Sequence, residues 1–120
     1  MKQQELGTKG EAFAKRELQK KGYRILACNY RKRGGEIDLI AQKGNILVFV
    51  EVKTRSRHAL YAPREAVTVA KQRRIQQTAL LYQMETGKME CQPRFDVFEI
   101  WTEQNADFQV LSHTHIENAF

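Results

Sequence analysis

The sequence predicts an α/β fold, a mixed β-sheet with helices packed on its faces, in the order α-β-β-β-α-β-β. Three observations carry this expectation. From Leu6 to Lys21, at about 100° per residue, Leu6, Phe13, Ala14 and Leu18 fall on one helical arc. Ile46 to Lys53 (ILVFVEVK) is apolar on both faces until its last positions, as a central strand covered on both sides must be. A second helical stretch then lies between two groups of strand-like runs, which gives a layered arrangement.

The elements follow in order. Gly22 stops the first helix. Tyr23 to Cys28 (YRILAC) reads as a short strand, and Arg31-Lys32-Arg33-Gly34-Gly35 as a basic turn. Glu36 to Gln42 (EIDLIAQ) alternates as a strand does, and Lys43-Gly44-Asn45 turns the chain into the apolar strand. Thr54 to Pro63 is expected as a polar, basic loop. The second helix runs from near Thr68, a candidate N-cap, to Glu85, and Gly87 ends it. Arg94 to Trp101 (RFDVFEIW) and Phe108 to Ser112 (FQVLS) finish the chain as a hairpin. Pro63 and Pro93 each precede a new segment, and the sequence contains no repeat, low-complexity tract or linker.

The chain has 120 residues, 42% of them apolar and 28% charged, so it is expected to be one globular domain over residues 1–120. No apolar run approaches the ~18 residues of a membrane span, which excludes a membrane helix. Met1-Lys2-Gln3-Gln4-Glu5 lacks a signal peptide's apolar core, so a cytoplasmic location is expected. Cys28 and Cys91 are then free thiols, with no spacing that reads as a zinc site. The net charge of +6 is uneven. Up to Arg74 there are 18 bases and 7 acids, a net +11; beyond it 2 bases and 7 acids leave −5. A basic face toward a polyanion explains this, with simple solubility as the alternative.

Chemistry centres on the hairpin of residues 36–53. A two-residue Gly44-Asn45 loop pairs Lys43 with Ile46, which sets Asp38 opposite Glu51. Opposed carboxylates repel, and a divalent cation is the natural remedy; two converging carboxylates with room for water suit Mg²⁺. Lys53 projects from the same face as Glu51, where an ammonium orients a water or stabilises charge developing on phosphorus. The alternative is an ordinary polar hairpin end. Glu11, at the edge of the first helix's apolar arc, is a third candidate, with Glu17 as its rival. Gly7 and Gly10 are expected to let this helix approach the sheet closely.

Arg31, Lys32 and Arg33 before the Asp38 strand, and Arg55, Arg57 and Arg64 after Lys53, are candidates for phosphate contact, or else a solvated loop. Lys71 projects onto the helix face of Ile75, Ala79 and Tyr82, toward the sheet, while Arg73 and Arg74 point elsewhere, to phosphate or water. Asp96 is expected in a structural ion pair, and His113 and His115, on one strand face, as two exposed histidines, with a stray metal as the alternative. Leu80, Leu81, Tyr82 and Met84 make the second helix apolar almost all round, so it is either deeply buried or in contact with a second copy.

Taken together, Gly7-x-x-Gly10-Glu11, Asn29-Tyr30-Arg31, Gly35-Glu36-Ile37-Asp38-Leu39-Ile40, Val48 to Arg55 (VFVEVKTR), Lys71 with Arg73 and Arg74, and Arg94-Phe95-Asp96-Val97 resemble the YraN/UPF0102 family over nearly the whole chain. That family is placed in the PD-(D/E)xK nuclease superfamily. The resemblance implies a three-layer restriction-endonuclease-like fold and a nuclease core dependent on Mg²⁺ or Mn²⁺. It implies Glu11, Asp38, Glu51 and Lys53 as the active-site quartet, with Asp38, Glu51 and Glu11 toward the metal. It also implies DNA as the partner, at branched or damaged structures as for Holliday junction resolvases. Ile37 stands where the superfamily's name motif has proline. Two other readings remain: a nucleic-acid-binding module that keeps the fold without cutting, and an adaptor docking a protein through its second helix.

Overall fold

A computed structural model describes residues 3–56, 67–103 and 108–120. Helix α1 (Gln3–Lys20) leads into β1 (Arg24–Lys32), β2 (Gly35–Lys43) and β3 (Ile46–Ser56). Helix α2 (Val69–Thr86) follows, then β4 (Gln92–Thr102) and β5 (Val110–Ile116). The order of elements is the one the sequence predicts. The five strands form one mixed sheet in the spatial order β1-β2-β3-β4-β5. Among the described residues, only the β3–β4 pair is parallel, and α2 lies in the connection between these two strands.

β3 is central because its residues feed two cores. Val48 and Val50 pack with Ala14 and Leu18 of α1, Leu39, Phe98 and Ile100. Leu47 and Phe49 pack with Ile75, Ala79 and Tyr82 of α2. The sheet therefore has α1 on one face and α2 on the other. Gly10 sets the first distance: a Cβ there would lie 1.9 Å from Thr54 Oγ1 on β3, so only glycine fits. Gly7 meets nothing within 4 Å, so the close approach expected of both glycines belongs to Gly10 alone. Gly35 plays the matching part for α2, since a Cβ there would lie 2.7 Å from Thr78 Oγ1 and 3.2 Å from the Arg74 carbonyl oxygen. Thr68 caps α2, its hydroxyl accepting from Lys71 N at 3.1 Å, and Gly87 closes it in the left-handed region at φ 67°.

Several boundaries differ from the expectation. β1 runs on to Lys32 and pairs Lys32 with Gly35, so Arg31 and Lys32 are strand residues and the turn is Arg33-Gly34. Tight hairpin pairing extends the strand through residues that composition alone assigns to a loop. β3 likewise reaches Ser56, because its parallel ladder with β4 continues to Ser56↔Thr102. Pro63, Arg57 and Arg64 lie outside the described residues.

Candidate functional site

The Lys43↔Ile46 register predicted for the β2–β3 hairpin holds through Leu39↔Val50 and stops there. Asp38 and Glu51 are therefore not ladder partners. Instead, Asp38 Oδ2 accepts the Val52 backbone N–H at 2.8 Å, so a side chain takes the place of the next ladder bond. β3 continues alongside β4 while β2 parts from it, and the two acids stand in the fork. The break extends to β1. Its pairing skips from Cys28↔Leu39 to Tyr30↔Ile37, and Asn29, opposite Asp38, lies at φ 52°. Leu39 belongs to the α1-side core and Ile37 to the α2-side core, so side-chain alternation slips at Asp38.

Both carboxylates line one cavity of about 130 Å³ on the α2 face, together with Gly35, Glu36, Lys71, Arg74 and Ile75. Glu51 is only 7% exposed. Its Oε1 is met by Lys71 Nζ at 2.6 Å and Lys53 Nζ at 3.5 Å. Lys53 thus shares the face of Glu51, as strand alternation predicts, and Lys71 reaches down from α2 as its helical phase predicts. Burial alone would lower the Lys71 ammonium pKa; the hydrogen bond and charge of Glu51 outweigh it and raise the pKa. Burial, then the neighbouring Glu51 charge, push the Asp38 carboxyl up to about 7, against a lowering by the Val52 N–H.

Glu11 is not among the residues that line this cavity. Asn29 Nδ2 donates to its Oε1 at 3.1 Å, so the irregular backbone at Asn29 serves to hold this acid. Burial raises the Glu11 pKa, Asn29 lowers it, and the charges of Glu36 and Glu51 raise it further. Its rival Glu17 pairs instead with Lys20 at 2.8 Å, away from the fork. Among the described residues, no three Asp, Glu, His or Cys side chains converge as a ready-made metal cage. The donor set consists of two carboxylate side chains beside open space. Among the described residues, Asp38 Oδ1 makes no hydrogen bond. This set fits Mg²⁺ or Mn²⁺, which keep several waters and take one or two carboxylates.

The basic candidates divide. Lys71 is in the site and Arg74 lines it, a correction to the expectation that Arg74 points elsewhere; both follow from Gly35 drawing α2 onto the hairpin. Arg73 is exposed. Arg31 pairs with Glu36 at 3.1 Å and Lys32 with Glu85 at 2.9 Å; Arg33 is exposed at the hairpin turn. Arg55 follows Lys53 on the same face of β3, its guanidinium 5.9 Å from the ring of Trp101, its ladder partner on β4.

Sequence reasoning missed a second cluster. Asp96 is fully buried and accepts from Arg94 Nε at 2.9 Å, Arg94 Nη2 at 2.8 Å, His115 Nε2 at 2.7 Å and Asn118 N at 3.0 Å. The expected ion pair of Asp96 is present. His115, however, is not exposed, its side chain being only 3% accessible, whereas His113 is exposed as expected, with its ring stacked on Phe98 at a centroid distance of 5.6 Å. Lys21 Nζ, which can only donate, lies 2.9 Å from His115 Nδ1, so the proton sits on Nε2 and is given to Asp96. Leu80, Leu81 and Met84 are exposed on α2, which is therefore not buried all round.

The comparisons with known proteins agree on one family. The model of "Uncharacterised protein family UPF0102" matches residues 10–100. A UPF0102 protein of Symbiobacterium thermophilum is 49% identical over 115 residues, covering 96% of this chain and 95% of that protein. One from Chlorobium chlorochromatii is 48% identical over 118 residues, covering 97% and 91%. One from Caldicellulosiruptor saccharolyticus is 42% identical over 120 residues, covering the whole of both. With the family model spanning both acids of the fork and relatives aligned nearly end to end, the chain belongs to the UPF0102 family.

Proposed function

We propose that this protein is a metal-dependent, nuclease-like hydrolase of DNA phosphodiester bonds. The observation that carries this reading is the fork itself, where Asp38 and Glu51 line one cavity and the Lys53 and Lys71 ammoniums both meet Glu51 Oε1. Burial, and then the charge of Glu51, keep Asp38 hard to ionise, so the pair is poised for a cation. Asp38 and Glu51 would hold Mg²⁺ or Mn²⁺, and the bound ion would supply Lewis-acid polarisation of a phosphoryl oxygen and a water of lowered pKa. Lys53 would orient that water and offset charge developing on the phosphoryl group. Glu11, steadied by Asn29, would act from the margin through water. The basic residues on β1, β3 and α2 would engage the phosphate backbone, a sequence-independent contact. Branched or damaged DNA is the substrate class that the resemblance to Holliday junction resolvases implies.

One observation favours a second reading, binding without cutting: Glu51 already has two ammoniums as counter-ions. Both readings call for DNA affinity that falls with salt. They part on cleavage of supercoiled and four-way-junction DNA with Mg²⁺ or Mn²⁺. The hydrolase reading expects metal-dependent cleavage that falls by about 100-fold or more in Asp38→Ala and in Lys53→Ala. Cleavage retained by both pure variants would overturn it.

A further inference from the structure

We propose that Lys71 is a releasable counter-ion: its ammonium holds the Glu51 carboxylate while no divalent cation is bound, gives way when one binds, and is then free to meet a nucleic-acid phosphate. This rests on the metal-site reading above and specifies how that site is regulated.

A carboxylate as buried as Glu51 requires a cation, and two ammoniums serve the same oxygen. They are not equally held. Lys53 rises from the interior of β3, where the backbone pairs in register with Glu99 of β4, and its side chain is 16% exposed. The Lys71 side chain is 36% exposed, at the end of a flexible stem in the first turn of α2. That position is itself unfavourable for a cation. The helix N-terminus carries partial positive charge, and a capping box would place Glu or Gln where Lys71 stands, three residues after Thr68. The 2.6 Å bond to Glu51 is what keeps Lys71 inward.

A divalent ion on Glu51 repels both ammoniums, and Lys71 is the one with solvent to enter. Once released it stands beside an α-helix N-terminus, where a phosphate is favoured. Cation and polyanion then bind with positive coupling, because each favours the state with Lys71 outward.

The test is titration of Mn²⁺ into the full chain by calorimetry, for the parent, Lys71→Met, Lys71→Gln and Glu51→Gln, with circular dichroism to confirm folding. Lys71→Met is expected to bind Mn²⁺ about tenfold tighter than the parent, since the competing charged hydrogen bond is gone. Lys71→Gln, which keeps a neutral donor, falls between. Urea unfolding provides a second readout. Added Mn²⁺ should raise the midpoint of Lys71→Met more than that of the parent. Unchanged or weaker Mn²⁺ binding by both Lys71 variants, with parent binding abolished by Glu51→Gln, overturns the counter-ion and leaves the metal site standing. No Mn²⁺ binding by any of the chains overturns the metal site and the counter-ion with it.

Discussion

Asp96 and Glu51 occupy adjacent steps of one ladder: Val50 pairs with Asp96 and Glu51 with Val97. They face opposite sides of the sheet and belong to clusters of opposite character. On the α1 side, Asp96 receives four hydrogen bonds, two of them from one guanidinium. Burial alone would raise its pKa, but His115, Arg94 and Asn118 N together hold it below the usual range. On the α2 side, Asp38 receives one hydrogen bond among the described residues, shares its cavity with a second carboxylate, and is pushed up to about 7 by burial and that neighbour. Burial is common to both. What separates a structural cluster from a candidate site is whether the charge is satisfied within the chain or left for something to complete.

The largest test of this contrast is Arg94→Met. It leaves a fully buried carboxylate without its main counter-ion, and urea unfolding should show a loss of about 3–5 kcal/mol. Asp38→Asn should do the reverse. It relieves repulsion and retains an acceptor for Val52 N–H, so stability at pH 8 should rise by about 1 kcal/mol while Mn²⁺ binding is lost. A loss of stability in Asp38→Asn would place Asp38 with Asp96 as a structural acid.

The same contrast is read in pH dependence. Asp38 ionises near pH 7 when folded and near its ordinary value of 3.8 when unfolded, so the folded chain holds the extra proton between those limits. Its contribution therefore falls as pH rises through that window. The urea midpoint of the parent relative to Asp38→Asn should decline from about pH 4 to 7 and then level off. Asp96 has the opposite sign: its stabilisation is present above its ordinary value of 3.8 and lost as pH falls below it.

Local rules made much of the site legible. A Gly44-Asn45 turn fixes the hairpin register, which brings Asp38 and Glu51 close; strand alternation gives Lys53 its face, and helical phase gives Lys71 its direction. What no local rule signals is where the ladder ends, because that depends on Asp38 bonding Val52 N–H and on the left-handed Asn29 across the sheet. The Asp96 cluster was hidden for a related reason. Tyr23, whose hydroxyl Arg94 Nη2 also reaches, and His115 approach Asp96 only through tertiary folding. A histidine in a polar strand such as VLSHTHI looks exposed until its partner is known. Gly35 carried a signal that could have been read: a glycine at a hairpin base facing an apolar helix indicates close packing.

The pairing of Arg55 with Trp101 has a practical consequence. Trp101 is the chain's single tryptophan, and it lies along the same strand pair that carries Glu51 and Lys53. The protein thus contains its own optical reporter four ladder steps from Glu51. Tryptophan fluorescence comes from one position and responds to the charge held over one ring, so it would report, without a label, whether an added oligonucleotide binds at that edge.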